Sequence, residues 1–505
     1  MNGGAVPSSH TGERVHIELR HSPTVAQAIL LATAAAQLGL ALVITIYLAR
    51  VLSPAAFGFF SLLGTIFILA RKFLDLGLGS VAARDVARDP RRERPILEGM
   101  MAYRRAAGVV LALSVAVFAF MQEAGPERTV LLAAAIVLLF TEPAALDPVF
   151  QVRQAQGGPA LLAVAGGLLV LGGSVLFKRA GVVGAAFGWL LVLREAITLL
   201  FTKVLAERLL GYHPRPGFRG RALRAFVSPA LIFGLASLVY AIYFNCDVLF
   251  VFALRGKDEL GAYAAAFRPI NPLLLLPWLL MTPLIPVFSA TAAKQMDLFV
   301  RQVRGASGLA LGIGACTLVA GTILAPDFVH LLYRGRYLDG PLSSVNAFRW
   351  LAVALGQVWV TTVLTASLLA AGKEKLLLAI GTAALVVNVV LNLVLLRHYN
   401  FTAAGFVTAV SELLFLLVAL IGFQAVTGRS AVAWSGIRYL LPAAAMALVL
   451  HFMPHSSVLR ITCGVVLGTI AVGALLSTPS ARRLRKDLGS STAMYNTLQS
   501  ELLSG

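Results

Sequence analysis

Long apolar runs, each closed by a short polar or charged connector, recur from residue 24 to residue 477 of the chain. Fourteen of them come near the roughly 20 residues that a helix needs to cross the hydrocarbon core of a bilayer. They fall near 24–49, 56–80, 101–121, 129–149, 160–177, 181–207, 226–253, 262–289, 306–325, 345–371, 375–396, 402–426, 437–453 and 457–477. The pattern predicts an all-α polytopic membrane protein with about 14 transmembrane helices. Gly and Ala are frequent throughout, which suits close packing between such helices.

The pattern also repeats. VLSPAAFGFFSLL (51–63) resembles LRGKDELGAYAAA (254–266), with Gly58 matching Gly261. AAFGWLLVLRE (185–195) resembles TAAGFVTAVSE (402–412), with Gly188 matching Gly405 and Glu195 matching Glu412. Both offsets lie near 200–217 and run in the same direction. Two parallel six-helix lobes are expected, a transporter design that places the site between the halves. The predicted organisation is a cytoplasmic N-terminal tail at 1–22, an N-lobe at 23–218, a C-lobe at 219–430, an extra helix pair at 431–480 and a cytoplasmic C-terminal tail at 481–505.

Composition agrees: 58% of the 505 residues are hydrophobic and 13% charged, where a soluble chain carries about 25% charged. The formal net charge of +19 follows from connectors, not from nucleic-acid binding. Alternate connectors hold Arg84 to Arg94, Arg208 to Arg224, Lys294 to Arg304, Lys373 and Lys375, and Arg429, and the C-terminal tail adds Arg482 to Lys486. The intervening connectors hold few cations. Lys and Arg stay on the cytoplasmic side, so both termini are expected there, in a cytoplasmic (inner) membrane. The three cysteines, Cys246, Cys316 and Cys463, show neither metal-ligand nor disulfide spacing, and no cofactor or metal is expected.

No Asp-x-Asp pair with a long outer loop, GxSxG, P-loop or Rossmann fingerprint stands in the right context. This argues against a membrane glycosyltransferase or polymerase and against direct ATP coupling. Ionisable residues inside apolar runs remain, and each costs roughly 2.5–3.5 kcal/mol at mid-membrane on insertion scales. The stretch YAIYFNCDVLFVFALRGKDELGAYAAAFRPINP (240–272) holds Asp247 and Arg268. It reads as the end of one helix, an outer turn and the start of the next. Arg268, beside Pro269 and Pro272, suits a phosphate or pyrophosphate group at an interrupted helix, or reaches headgroups at the outer interface. Arg71 and Lys72 either join such a site or snorkel and pair locally with Asp75. Arg194 and Arg349 complete the basic set. Arg194 and Glu195 are adjacent and share no helical face. Glu142 and Asp147 precede prolines and either satisfy freed backbone or pair. Asn271 adds a polar group, and Asn388 and Asn392, four apart, line one face as a packed interface or cavity wall. The acids Asp247, Glu195 and Glu412 are the candidates for ion coupling.

Five stretches resemble a known family: ARVLSPAAFGFFSLL (49–63), FLDLGLGSVAARDVARDP (73–90), FNCDVLFVFALRGKDELGAYAAAFRP (244–269), HLLYRGRYLDG (330–340) and AAGKEKLLLAIGTAALVVNVVLNLVLL (370–396). In this order the chain resembles the oligosaccharide-lipid flippases of the polysaccharide transport family, whose superfamily also holds multidrug extruders and the lipid II flippase. The resemblance implies a V-shaped bundle with alternating access and a central cationic cavity for a sugar-pyrophosphate head, the polyprenyl tail staying in lipid. Arg268 falls where such proteins often place a basic residue, and with the intramembrane residues Arg71, Lys72, Arg194, Arg349, Asn271, Asn388 and Asn392 it makes up the expected set of substrate contacts. The implied partners are a polyprenyl-linked oligosaccharide, membrane lipids and the polymerase and export proteins of such a pathway. The first helix carries Thr33, Gln37 and Thr45 but no interior charge, a departure from the lipid II flippase pattern. The rival expectation is a cation-coupled multidrug or metabolite exporter.

Overall fold

The computed structural model describes residues 23–153, 155–217, 234–235, 237–432, 434–454, 456–479 and 481–489. The N-terminal tail expected at 1–22, residues 226–233 of the seventh expected span and the C-terminal tail beyond 489 lie outside the described residues.

The described residues form helices and connectors, with no strand among them. Helices α1 (Pro23–Val51), α2 (Pro54–Asp75), α3 (Leu78–Arg88), α4 (Glu93–Phe120), α5 (Pro126–Leu139), α6 (Asp147–Val152), α7 (Gly157–Arg179) and α8 (Gly188–Leu210) pack together and are called the N-lobe. The C-lobe comprises α9 (237–243), α10 (Cys246–Ile270), α11 (Leu275–Met281), α12 (Leu284–Lys294), α13 (Met296–Ile323), α14 (Ala325–Tyr333), α15 (Val345–Ala370), α16 (Glu374–His398) and α17 (Thr402–Thr427). Helices α18 (Leu441–Phe452) and α19 (Ser457–Ser477) lie against α13. Successive long helices alternate in direction. The connectors after α2, α8, α12, α15 and α17 therefore share an arginine-rich end, and those after α1, α4, α7, α13 and α16 share the opposite, turn end.

Ten helices among the described residues are long and apolar enough to cross a membrane, or eleven if the bent pair α5–α6 is one span. The expected fourteen differ at identifiable places. In α1 the apolar stretch is Ala35–Val51, and the helix containing α18 is short (Arg438–Phe452). Ser237–Met281 counts as one of the ten but folds back on itself. Gly256 takes φ 84°, ψ −173° inside α10, and the Tyr263 hydroxyl reaches Asp247, sixteen residues away, at 2.9 Å. A straight helix would separate them by about 24 Å, so Gly256 is the turn of a hairpin.

Local sequence explains the matching turn between α1 and α2. The Ser53 side chain accepts a bond from the Ala56 N–H at 3.2 Å, and Pro54 fills the first helical turn, where its missing N–H costs nothing. The two turns meet. A Cβ on Gly58 would lie 2.2 Å from the carbonyl oxygen of Lys257, four residues before Gly261. A Cβ on Gly261 would lie 2.0 Å from the carbonyl oxygen of Pro54, four residues before Gly58. The repeat-matched glycines thus make the same contact in both directions, as an approximate two-fold axis between α2 and α10 requires. Around this contact Arg50 donates to the Leu331 and Leu332 carbonyls at 2.8 and 2.6 Å. Lys257 pairs with Glu127, and Arg336 donates to the Arg50 carbonyl at 3.1 Å. Together these close the lobes at the turn end.

Gly58→Ala and Gly261→Ala should each lower stability, by about 1–3 kcal/mol, because the added carbon meets backbone that cannot swing away. Gly39→Ala, where nothing lies within 4 Å of the added carbon, should not. Melting of the purified variants in detergent checks this; equal melting of all three would refute the close approach.

Candidate functional site

The α9–α10 segment is interrupted at residues 244–245, and Asn245 has φ −133°, ψ −8°. Asp247 follows this break and is 2% exposed. Burying a charge demands partners, and three donors supply them. Tyr263 and Thr408 hydroxyls donate to Oδ2 at 2.9 and 2.6 Å, and Asn392 Nδ2 donates to Oδ1 at 2.9 Å. Asn392 Nδ2 also donates to Asn388 Oδ1 at 2.9 Å, and the Cys246 thiol donates to that oxygen at 3.2 Å. Asn245 Oδ1 and Asn392 Oδ1 are buried without a hydrogen-bond partner among the described residues. The break therefore gathers a carboxylate and unused amide oxygens, a donor set that suits a small cation.

Glu412 lies one turn from Thr408 on α17. It is 3% exposed and accepts a bond from the Tyr243 hydroxyl at 3.1 Å. It borders a cavity of about 190 Å³ lined by Tyr240, Tyr243, Trp278, Thr361, Thr362, Thr365 and Phe415. Trp278 Nε1 donates to the Tyr240 hydroxyl at 3.2 Å. The C-lobe thus holds an acid in an aromatic box.

At the repeat-matched position of the N-lobe, Glu195 of α8 is held differently. Arg71 of α2 donates from Nε at 2.9 Å and from Nη2 at 2.7 and 2.8 Å to its two oxygens. The Glu195 side chain is 5% exposed, that of Arg71 56%. Arg194 Nη2 stands 3.6 Å from Glu195 Oε2. Adjacency on the helix does not keep these two apart, because the Arg194 stem runs over Gly166, whose Cβ would lie 3.0 Å from its Cγ. The guanidinium then folds back. Asp75 pairs neither with Arg71 nor with Lys72. It accepts from Arg104 Nη2 at 3.2 Å and from the Gly79 N–H at 3.3 Å. Lys72 is exposed and has no carboxylate partner among the described residues. Glu142, at the bend between α5 and α6, accepts from Arg105 at 2.5 Å.

Arg268 stands on the contact between lobes. Its Nε donates to Ser61 Oγ at 2.9 Å, and its Nη2 donates to the Ser61 carbonyl at 2.6 Å and to Thr65 Oγ1 at 3.2 Å. Thr65 follows Gly58 by seven residues, as Arg268 follows Gly261, so the pair is repeat-matched across the axis. Ser61 and Thr65 are both neutral, and no carboxylate is within ion-pair distance of Arg268 among the described residues. It is half-buried between α2 and α10 and does not reach for headgroups at the outer surface.

The structure thus brings together Arg71, Arg194 and Glu195 in one group, and Asp247, Asn388 and Asn392 in another, with Glu412 a turn away, while Lys72 is exposed and joins neither. Asn271 is half-buried at the end of α10 and makes no side-chain hydrogen bond among the described residues. Arg349 stands apart. It is exposed at the turn end of α15, donating to the Thr322 carbonyl at 3.3 Å and to Asn346 Oδ1 at 3.1 Å. Residues not singled out from the sequence are Arg104, 5% exposed, the Asp247 donors Tyr263 and Thr408, and Ser61 and Thr65. The hydroxyls carry no signal in a run rich in Ser, Thr and Tyr. Thr408 precedes Glu412 by four residues, which places both on one helical face.

The profile of the family described as "Polysaccharide biosynthesis protein" matches residues 26–292, and that described as "MatE" matches residues 233–394. No curated protein matches the chain by sequence. Among solved structures, the fold is similar to the lipid II flippase MurJ in an inward closed conformation. The TM-score is 0.71, with 12% identity over 90% of this chain and 99% of that one. It is similar to an inward-facing multidrug resistance MATE family transporter of the MOP superfamily (TM-score 0.54, 14% identity, 80% of this chain and 99% of that one). A Vibrio cholerae MATE transporter mutant is comparable (TM-score 0.53, 13% identity, 81% and 98%). At these identities the likeness is one of fold.

Removing Arg71 leaves the buried Glu195 with a single distant cation. Arg71→Ala should cost about 1.5 kcal/mol, the low end for charged hydrogen bonds because half of Arg71 is in solvent. In Arg71→Ala/Glu195→Ala the loss should be smaller than the sum of the single losses. A double-mutant cycle read by melting checks this, and strict additivity would deny the coupling.

Proposed function

The chain belongs to the polysaccharide biosynthesis protein family, within the superfamily of saccharide-lipid flippases and multidrug exporters, and from that premise we propose that it is a flippase. It moves a polyprenyl-(pyro)phosphate-linked oligosaccharide from the cytoplasmic to the outer leaflet by alternating access. The observation that carries this reading is Arg268, a guanidinium between the lobes held only by neutral oxygens of α2. An anion entering there gains charge-assisted bonds without first displacing a carboxylate. Arg71, Lys72 and Arg194 extend the cationic path toward the arginine-rich end, which this reading makes cytoplasmic. Asn271, at the end of α10, lines that path, and Asn388 and Asn392 set the Asp247 group. Arg349 meets the substrate, if at all, on the outer side.

The two lobes then have different tasks. The N-lobe acid, Glu195, is taken up by Arg71 and Arg194, leaving a basic surface for phosphate. In the C-lobe, Asp247 with Asn392 and Thr408 takes a coupling cation, sodium ion or proton, as co-substrate. An inside-negative potential adds about 2.3 kcal/mol per 100 mV for each negative charge moved outward. A second reading, export of a hydrophobic cation, is favoured by the aromatic cavity at Glu412. The reaction in either case is transport, with no bond made or broken.

Native mass spectrometry of gently purified protein tests the choice. A retained polyprenyl-pyrophosphate glycan that is lost from Arg268→Ala supports the flippase. Retention of a hydrophobic cation that responds to Glu412→Gln and ignores Arg268→Ala overturns it. Asp247→Asn should keep lipid retention but abolish the response of reconstituted transport to sodium and proton gradients. If that response survives, Asp247 is not the coupling group.

A further inference from the structure

A second basic concavity lies at the arginine-rich end of the C-lobe, away from every residue discussed so far. Three segments remote in sequence close round a cavity of about 190 Å³: the start of α13, the turn at Trp434–Leu440, and the short helix at 481–489. They bring in Arg301 and Arg304, Arg438, and Arg483 respectively, against one rim carboxylate, Asp487.

The concavity is built, not incidental. Two glycines of α13 let the other segments close in: a Cβ on Gly308 would lie 2.6 Å from the Tyr439 ring, and one on Gly305 3.3 Å from Leu484. Tyr439 and Leu484, 4% and 7% exposed, press onto these glycines. The 481–489 helix is amphipathic, with Ala481 and Leu484 inward and Arg482, Arg483, Arg485 and Lys486 outward. Buried Gln302 ties it down, accepting from Thr291 Oγ1 at 2.9 Å and donating to the Asp487 carbonyl at 3.1 Å. Arg304 is aimed by its bond to the Ser430 carbonyl at 2.7 Å.

Topology alone explains why these arginines share a side of the membrane. It does not explain why they face one another across a pocket. Among the described residues Arg301, Arg304 and Arg483 have no carboxylate within ion-pair distance. Converging guanidiniums repel unless an anion joins them, and the planar fork matches phosphate oxygens. Apolar surface runs from the pocket along α18, where Leu440, Leu441 and Leu448 are exposed, so a ligand with its head here has its chains along the bundle. We infer that this pocket is a phosphate site, filled by the headgroup of an anionic phospholipid of the arginine-side leaflet. The ligand staples the 481–489 helix and the Trp434–Leu440 turn to α13.

The test uses full-length protein in detergent, as wild type, Arg483→Gln and Arg301→Gln/Arg304→Gln/Arg483→Gln. Each is equilibrated with phosphatidylglycerol, phosphatidylcholine or inorganic phosphate. Wild type should retain one more phosphatidylglycerol than the triple variant by native mass spectrometry, with no such difference for phosphatidylcholine. Phosphatidylglycerol should raise its melting temperature by more than twice the rise in the triple variant. A variant-sensitive rise with inorganic phosphate and none with phosphatidylglycerol would keep the phosphate site and reassign its source to a soluble anion. Equal retention and equal melting across wild type and variants would overturn the site. If the triple variant does not fold, the same comparison is read from Arg483→Gln, whose side chain lies on the exposed face.

Discussion

Everything in this molecule hangs on the approach of two helix backbones, α2 and α10, at Gly58 and Gly261. There is no room for even one carbon at either position. In a bilayer, apolar area gives little drive for one helix to seek another, and close backbone packing supplies it instead. Because the contact is made by repeat-matched residues in both directions, it fixes the relation of the lobes as well as their distance. Arg268 and Thr65, seven residues beyond the two glycines, inherit that relation and face each other across the axis.

Symmetry of backbone goes with asymmetry of charge, the arrangement that the proposed flippase would use for two different solutes. Glu195 and Glu412 occupy matched positions, and both are buried. The first is held by arginines, the second by the neutral Tyr243 hydroxyl. Asp247 has no charged partner among the described residues and accepts from the neutral Tyr263, Asn392 and Thr408. A buried carboxylate held this way is compensated by hydrogen bonds alone, which is an arrangement a cation can enter without displacing another cation.

Most of the fold was legible because spanning helices need long apolar runs and the repeat survives at its glycines. The hairpin at Gly256 was readable from RGKDELG between apolar stretches. The count was harder: α18 is short, and the two helices that meet at Gly256 follow one another directly through the reversal. At the site, the acids and bases announced themselves by their cost in an apolar run, but their partners did not. Arg71 bonds Glu195 and not its near neighbour Asp75, because Arg104 arrives from α4 to take Asp75. Sequence spacing sees only neighbours on one helix, and these pairings are between helices. Arg349 shows the converse: a basic residue in an apolar run that faces outward at a helix end.

Alternating access requires that the lobes separate at one end while holding at the other. At the turn end the holding groups are Arg50, Arg336 and the Lys257–Glu127 pair, and all but the last donate to backbone carbonyls. Bonds to carbonyls are readily exchanged for bonds to water, so this closure is set by the glycine packing beneath it, with the polar contacts adding register. Arg268 sits just below that packing. An anion bound to its guanidinium competes with Ser61 and Thr65 for the same donors, and those two belong to the opposite lobe. In the flippase proposed above, occupancy at Arg268 would loosen these polar ties between α2 and α10, coupling filling of the site to release of the lobes by shared donors.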